Sequence, residues 1–292
     1  MSERDAVERV VAQRRRDIGG GLEVGRVLPF AGGRMIGPFI FFDHIGPAQF
    51  AAGIPREMDV RPHPHIGLAT ITWLFDGEIM HRDSLASEQP IVAGEVNWMT
   101  AGRGITHSER FERARAEGGP LHGIQSWVAL PDGAEETEPG FVHVERAALP
   151  RVAGAGLDTR LIAGRAWGAT SPVPVLSPLF YAEVSLATGA TLELPDEYPE
   201  RGLYIVSGSV ACGTSVHVAG QLLQFRDGAT AMVRAEEPSI VMALGGDPVG
   251  PRYIDWNFVS SSRERIEQAK ADWRAGRMKL PDLDDAEFIP LP

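Results

Sequence analysis

The chain has 292 residues, enough for one large or two ordinary domains, and its 39 acidic against 28 basic side chains give a formal charge of −11, a field that repels phosphate backbones and argues against direct nucleic-acid binding. A single cysteine, Cys212, excludes an intrachain disulfide and a cysteine-rich zinc site, and no window approaches the ~18 apolar residues of a membrane helix. The arginines of MSERDAVERVVAQRRRDIGG lead into no apolar leader, so a cytoplasmic protein in a reducing compartment is expected, and 33 Gly with 22 Pro in a chain that is 43% hydrophobic point to a globular, turn-rich fold.

In chain order, the basic run Arg14, Arg15 and Arg16 reads as a solvated strand end and carries no function. Short β-type runs follow at 39–42, 69–75, 96–100, 125–129, 181–186, 203–206 and 240–243, each bounded by Gly, Pro, Asn or Asp, a pattern of all-β sandwiches and barrels. The acidic segment PDGAEETEPG at 131–140 is expected to be a surface loop near a lobe boundary, and 164–178 is a second candidate linker. LFDGE at 74–78 parallels IVSGS at 205–209, and VAGEV at 92–96 parallels VAGQL at 218–222, the trace of one barrel repeated twice. Near the end, Ser261 and Glu264 have capping-box spacing, and Ile266, Ala269 and Trp273 fall on one face of a helix that Gly276 and Pro281 terminate. The closing EFIPLP is too apolar for a free tail and is expected to dock on the body.

The chemistry concentrates in two short motifs. His63 and His65 stand two apart in RPHPHIG, and His107 stands two before Glu109 in GITHSE; residues two apart on a strand share a face. Two such strands facing each other make a four-ligand site. Three imidazoles and one carboxylate suit Fe, Mn, Co, Ni, Cu or Zn and discriminate against Ca, and in an octahedral shell they leave two positions open. The other histidines have ordinary expectations: His81 as a strand-end residue bonded to a turn, His122 as a barrel residue, His143 and His217 at strand surfaces, and His44 at a pocket rim. Trp73, Trp98, Met99, Phe41 and Phe42 are expected in the core, with some lining the cavity.

The stretch RPHPHIGLATITWLFDGEIMHRDSL and the following AGEVNWMTAGRGITHSER resemble the signature of the pirin family, within the cupin superfamily. The likeness extends to PFIFFDHIGP, HGIQSWVALP and WNFVSSSRERIEQAKADW, which together span nearly the whole chain. It implies a bicupin: two antiparallel double-stranded β-helix barrels face to face, here an N-terminal metal-binding barrel at 1–140 and a C-terminal barrel at 141–292 carrying the helix and tail. It places the metal on His63, His65, His107 and Glu109. Ala69 departs from the pattern, which often has Glu there, and removes one carboxylate from the ligands' surroundings. Aligning Gly208 with Gly77 sets Leu194 and Asp196 against His63 and His65, and aligning Gly220 with Gly94 sets Val233 and Ala235 against His107 and Glu109, so the second barrel is expected to lack a metal.

The resemblance implies two classes of activity. In the first, the protein resembles flavonol 2,3-dioxygenases, which open the central ring of quercetin with O2 and release carbon monoxide. One divalent transition metal, Fe(II) by expectation with Ni, Cu, Co, Mn or Zn compatible, would bind the flavonol 3-oxygen, and Glu109 would accept the hydroxyl proton. In the second, it resembles metal-dependent regulators that bind a protein partner and respond to the oxidation state of iron. The charge of −11 favours a protein over DNA in that role. A purely structural metal is disfavoured by the two open positions.

Overall fold

The structure is a computed structural model in which residues 6–17, 22–30, 33 and 35–292 are described; residues 1–5 and 18–20 of the segment searched for a leader lie outside them. All seven apolar runs form strands, and the fold is mostly β. Leu68–Asp76 is buried at every position from Leu68 to Leu74. That suits its place between Val96–Thr100 and Gly119–Ala129, where neither face meets water. Arg14 to Arg16 lie in a fully exposed short strand, Arg14–Asp17.

Two compact units emerge. One gathers 15–25, 42–146 and 249–292, and the other 1–14, 26–41 and 147–248. The spans expected from sequence, 1–140 and 141–292, are thus crossed at both ends of the chain. Strand Val7–Ala12 pairs antiparallel with Gln221–Phe225, and the C-terminal helix packs its apolar face on Ile66 and Phe258. The candidate linker 164–178 lies wholly inside one unit: its first residues continue strand Leu157–Ala166, and Ser171 and Val173 are buried.

The internal repeat is real at the level of single hydrogen bonds. Gly94 N donates to Leu74 O at 2.9 Å and Gly220 N to Ile205 O at 2.8 Å, matching the two aligned motif pairs, and both glycines sit at positive φ, 81° and 84°, where a side chain would be strained. Each unit also holds a four-stranded sheet in the same order. In the first it is Val60–His65, Ile105–Arg110, Glu78–Asp83, Glu88–Val92, and in the second Thr191–Glu193, Met232–Ala235, Ser209–Cys212, Ser215–Val218.

The ladders correct the residue alignment between the repeats. His63 faces His107 in the first unit, whereas Val233, the equivalent of His107, faces Leu192. Leu192 and Leu194 therefore take the places of His63 and His65, and Asp196 falls beyond them on the surface. The glycine anchor misled because the connection from this strand to Gly208 is two residues longer than that from His65 to Gly77. Leu192, Leu194, Val233 and Ala235 all belong to the buried apolar cluster of their unit.

The C-terminal helix runs Arg263–Arg274 with Ile266, Ala269 and Trp273 buried, as its periodicity predicts. Its cap is one residue later than expected: Ser262 accepts from Arg265 N at 3.2 Å, while Ser261 bonds to Glu135. Glu135, drawn from the acidic 131–140 segment, is buried because Arg252, Ser260 and Ser261 all satisfy it. The tail docks as expected. Ile289 N donates to Pro62 O at 2.9 Å, Trp273 Nε1 donates to Ile289 O at 3.0 Å, and Asp284 takes a two-pronged hydrogen bond from Arg110, both arms 2.7 Å, the strong bidentate geometry.

Because Asp196 is exposed and the histidine-equivalent positions are the buried Leu192, Leu194 and Val233, Asp196→Ala should leave metal content unchanged. Elemental analysis of the purified variant beside the unmodified protein checks this; a drop would mean that the second unit holds a ligand.

Candidate metal centre

Strand Val60–His65 is an edge strand, which is why it tolerates Pro62 and Pro64: neither ring nitrogen is needed by a neighbour on the outer side. It pairs with Ile105–Arg110, with His107 opposite His63 and Ile105 opposite His65. The register shifts between His107 and Glu109, so that Arg61 and Pro62 together oppose Ser108, a bulge of the kind that re-aims side chains. On its other edge Ile105–Arg110 pairs without a shift to Glu78–Asp83, with Asp83 opposite His107 and His81 opposite Glu109.

These registers bring His63, His65 and His107 together, one nitrogen of each lying within 4.8 Å of the others, and all three are buried. The Nε2 atoms of His65 and His107 are 3.1 Å apart. Two nitrogens ~2.1 Å from one ion and at right angles would be separated by about 3.0 Å, so this pair has the spacing of adjacent ligands. His63 Nδ1 lies 2.9 Å from Arg61 O and His65 Nδ1 3.0 Å from Asn257 O. Each Nδ1–H is thereby given to a carbonyl, which leaves the Nε2 lone pair free for a cation. Asn257 reaches His65 because Gly67, at φ 68°, lets the Val259 carbonyl lie against it where a Cβ would collide.

Burial dominates the electrostatics. It pulls His63 down to about 4, opposed by the Arg61 carbonyl and helped by His81, and it holds His65 and His107 well below the ordinary histidine value, with the neighbouring rings adding to the effect. All three are therefore neutral near pH 7 and ready to ligate. Burial acts oppositely on Glu109 and raises its carboxyl to about 7, against a small lowering by Thr72. Glu109 is not within the 4.8 Å group of the three histidines. Its Oε1 lies 3.4 Å from Thr72 Oγ1, whose single proton has a shorter bond to Gln125 Oε1 at 2.7 Å, so the carboxyl is loosely held.

Sequence reasoning missed the surroundings of the cluster. His81, expected at a strand end, is 2% exposed, lies 3.0 Å from Asp83 Oδ2 through Nε2, and points Nδ1 at His107 Nδ1, 3.4 Å away. Its ring stacks on Phe141 at 4.4 Å between centroids, and Trp127 meets His65 edge-on at 5.1 Å; Trp73, Trp98, Met99, Phe41 and Phe42 are buried as expected. The spacing of His81 and Asp83, two apart like His63 and His65, was the available signal. His44 pairs with His122, Nε2 to Nε2 at 2.8 Å. His143 bonds to Asn97, and His217 is buried, not at a strand surface.

The residues present suit a mononuclear transition-metal site, given three converging neutral imidazoles with anchored second nitrogens. Comparison with known proteins agrees in kind. The Pirin family model matches residues 21–128, and that of the pirin C-terminal cupin domain matches 181–279. A pirin-like protein of Caulobacter vibrioides is 59% identical, with 98% of this chain and 99% of its own length covered. A Pseudomonas aeruginosa protein provisionally named a quercetin 2,3-dioxygenase is 38% identical over 96% of this chain and 88% of its own. The crystal structure of a quercetin 2,3-dioxygenase from Acinetobacter baumannii superposes with a TM-score of 0.88 at 33% identity, covering 97% of this chain and 94% of that one. With both halves matched by its models and full-length relatives at this identity, the chain belongs to the pirin family.

Proposed function

We propose that the protein is a metal-dependent dioxygenase acting on flavonols such as quercetin, with His63, His65 and His107 as ligands and Glu109 as fourth ligand and proton acceptor. The observation that carries this reading is a buried carboxyl that loses its proton near pH 7 beside three buried neutral imidazoles converging on one point. A bound divalent ion, Fe(II) in this reading, supplies Lewis acidity toward the flavonol 3-oxygen and a redox-active centre for O2. His63, His65 and His107 orient it, their Nδ1 contacts preventing rotation of the rings. Glu109 takes the 3-hydroxyl proton: a base with a pKa near the working pH accepts that proton without being permanently protonated. The dioxygenase names of full-length relatives support the substrate class.

The protein should bind about one transition-metal ion per chain, as expected of a site with one set of protein ligands. His63→Ala or His107→Ala should abolish binding while leaving a cooperative melting transition. Elemental analysis with thermal denaturation reads both; two ions per chain, or full loading in both variants, contradicts the site.

Glu109→Gln keeps an oxygen of similar size and removes the basicity. Oxygen uptake and loss of flavonol absorbance, normalised to bound metal, should fall by ~10²-fold or more, the scale of a lost general base. Absence of turnover in the unmodified protein across Fe, Ni, Co, Mn, Cu and Zn would instead favour a regulator that binds a protein partner.

The pH dependence has a definite sign. In the metal-free protein Glu109 carries a proton below about 7, and metal must displace it, whereas His63 does not compete until about 4. Apparent affinity should therefore be constant well above pH 7 and weaken as pH falls through 7, approaching tenfold per pH unit for one displaced proton. Chelator competition at pH 8, 7 and 6 measures this, and Glu109→Gln should flatten the slope.

A further inference from the structure

Two of the three clustered histidines give Nδ1 to backbone carbonyls, and the third does not. His107 Nδ1 faces His81 Nδ1 at 3.4 Å, and His81 Nε2 contacts Asp83 Oδ2 at 3.0 Å. Asp83 and His81 are 1% and 2% exposed, and alternation along Glu78–Asp83 puts both on the face turned toward His107.

When His107 Nε2 holds an ion, the chain of contacts has one consistent proton arrangement. Asp83 Oδ1 already accepts Leu85 N at 2.8 Å and Ser87 N at 3.1 Å. Although burial alone raises its pKa, the His81 contact and these backbone donors hold the carboxyl below its ordinary value, so it is an anion. Oδ2 accepts the Nε2–H of His81, and the proton shared between the two facing Nδ1 atoms then comes from His107. His107 thus carries Nδ1–H, and its Nε2, 3.1 Å from His65 Nε2, is the atom left for the ion. Asp83 also closes the turn to strand Glu88–Val92, but Oδ1 alone does that. The bond from Oδ2 to His81 is additional.

We propose that Asp83 and His81 form a buried positioning relay that fixes the tautomer of His107 and strengthens it as a metal ligand. The inference rests on the reading of His63, His65 and His107 as ligands and adds an asymmetry to it: His107, backed by a carboxylate through a second imidazole, is the strongest nitrogen donor of the three. Outer partners of this kind typically change metal affinity by ~10 to 100-fold.

The test uses Co(II), whose visible absorption reports ligand strength, with affinity measured by chelator competition. Asp83→Asn retains an oxygen for Leu85 N and Ser87 N but turns an amide N–H toward His81. The His81 proton is then driven to Nδ1, against His107 Nδ1–H. Affinity should fall by ~10 to 100-fold, and the absorption band of the saturated protein should shift, a change that a mere turn-closing role would not produce. His81→Phe, which preserves stacking on Phe141, should give a loss of the same order, and the double variant should lose no more than the worse single one, because both break one chain. Both readouts are taken on protein with a cooperative melting transition, and either single variant suffices if the other does not fold. Wild-type affinity and band position in a folded variant, or a double-variant loss equal to the product of the single losses, would overturn the relay while leaving the metal site intact. Failure of the unmodified protein to bind Co(II) or any other divalent transition metal would overturn the metal reading and the relay with it.

Discussion

The arrangement depends on strand Ile105–Arg110 having a partner on each side. One ladder sets His107 against His63 and, diagonally, His65; the other sets the same residue against Asp83 and, diagonally, His81. A shift of one residue in either ladder would turn every side chain to the opposite face. The register is held by more than its own hydrogen bonds. Tail residue Ile289 binds the bulged edge strand at Pro62, Asp284 is clamped by Arg110 at the end of the central strand, and Thr106 donates to Lys279 O. The last forty residues, which contribute no side chain to the histidine cluster, hold the strands on which that cluster stands.

What was legible in the sequence follows from period-two geometry. His63 with His65 declared themselves because strand alternation makes i and i+2 neighbours, while the seven expected strands came from short β-type runs bounded by turn residues and the buried face of the C-terminal helix from helical periodicity. His81 and Asp83 have the same spacing, yet one imidazole and one carboxylate two apart are common in turns, and only the ladder reveals which face they share. Asn257 was invisible because it acts through its carbonyl, which every residue possesses. The paired glycines identified the repeat, but a turn fixes register only in its neighbourhood. Two additional residues before Gly208 were enough to move the histidine-equivalent positions from Leu194 and Asp196 to Leu192 and Leu194. The pairing of Val7–Ala12 with Gln221–Phe225 is a contact of high sequence separation, which no local pattern encodes.

Burial gives the site its electrical character. Removing water suppresses charge on each group in the direction that its own chemistry dictates: the imidazoles lose their protons and the Glu109 carboxyl keeps one. The three imidazoles are then neutral near pH 7, and the Glu109 carboxyl is close to its midpoint there. A divalent ion entering the cluster would reverse that logic, since its charge would favour the carboxylate form of a nearby acid. Glu109 and Asp83 differ because of their partners. Asp83 has two backbone donors and a histidine, while Glu109 has a distant hydroxyl that is already committed to Gln125.

The second unit shows what this scaffold does when no ligand set is present. The same four-stranded order closes over Leu192, Leu194, Val233 and Ala235, all in the apolar cluster. Burying such side chains stabilises by roughly 1.5 to 3 kcal/mol for each large one, whereas burying imidazoles and a carboxyl in their place costs energy unless each is bonded. The second unit therefore closes this sheet on hydrocarbon, where the first unit closes it on polar side chains. The backbone carbonyls of Arg61 and Asn257, with His81 and Asp83, make that polar set tolerable in a buried place. They do so by satisfying every Nδ1 while leaving the three Nε2 atoms without a protein carbonyl to face, an arrangement that favours binding an ion over stabilising the empty barrel.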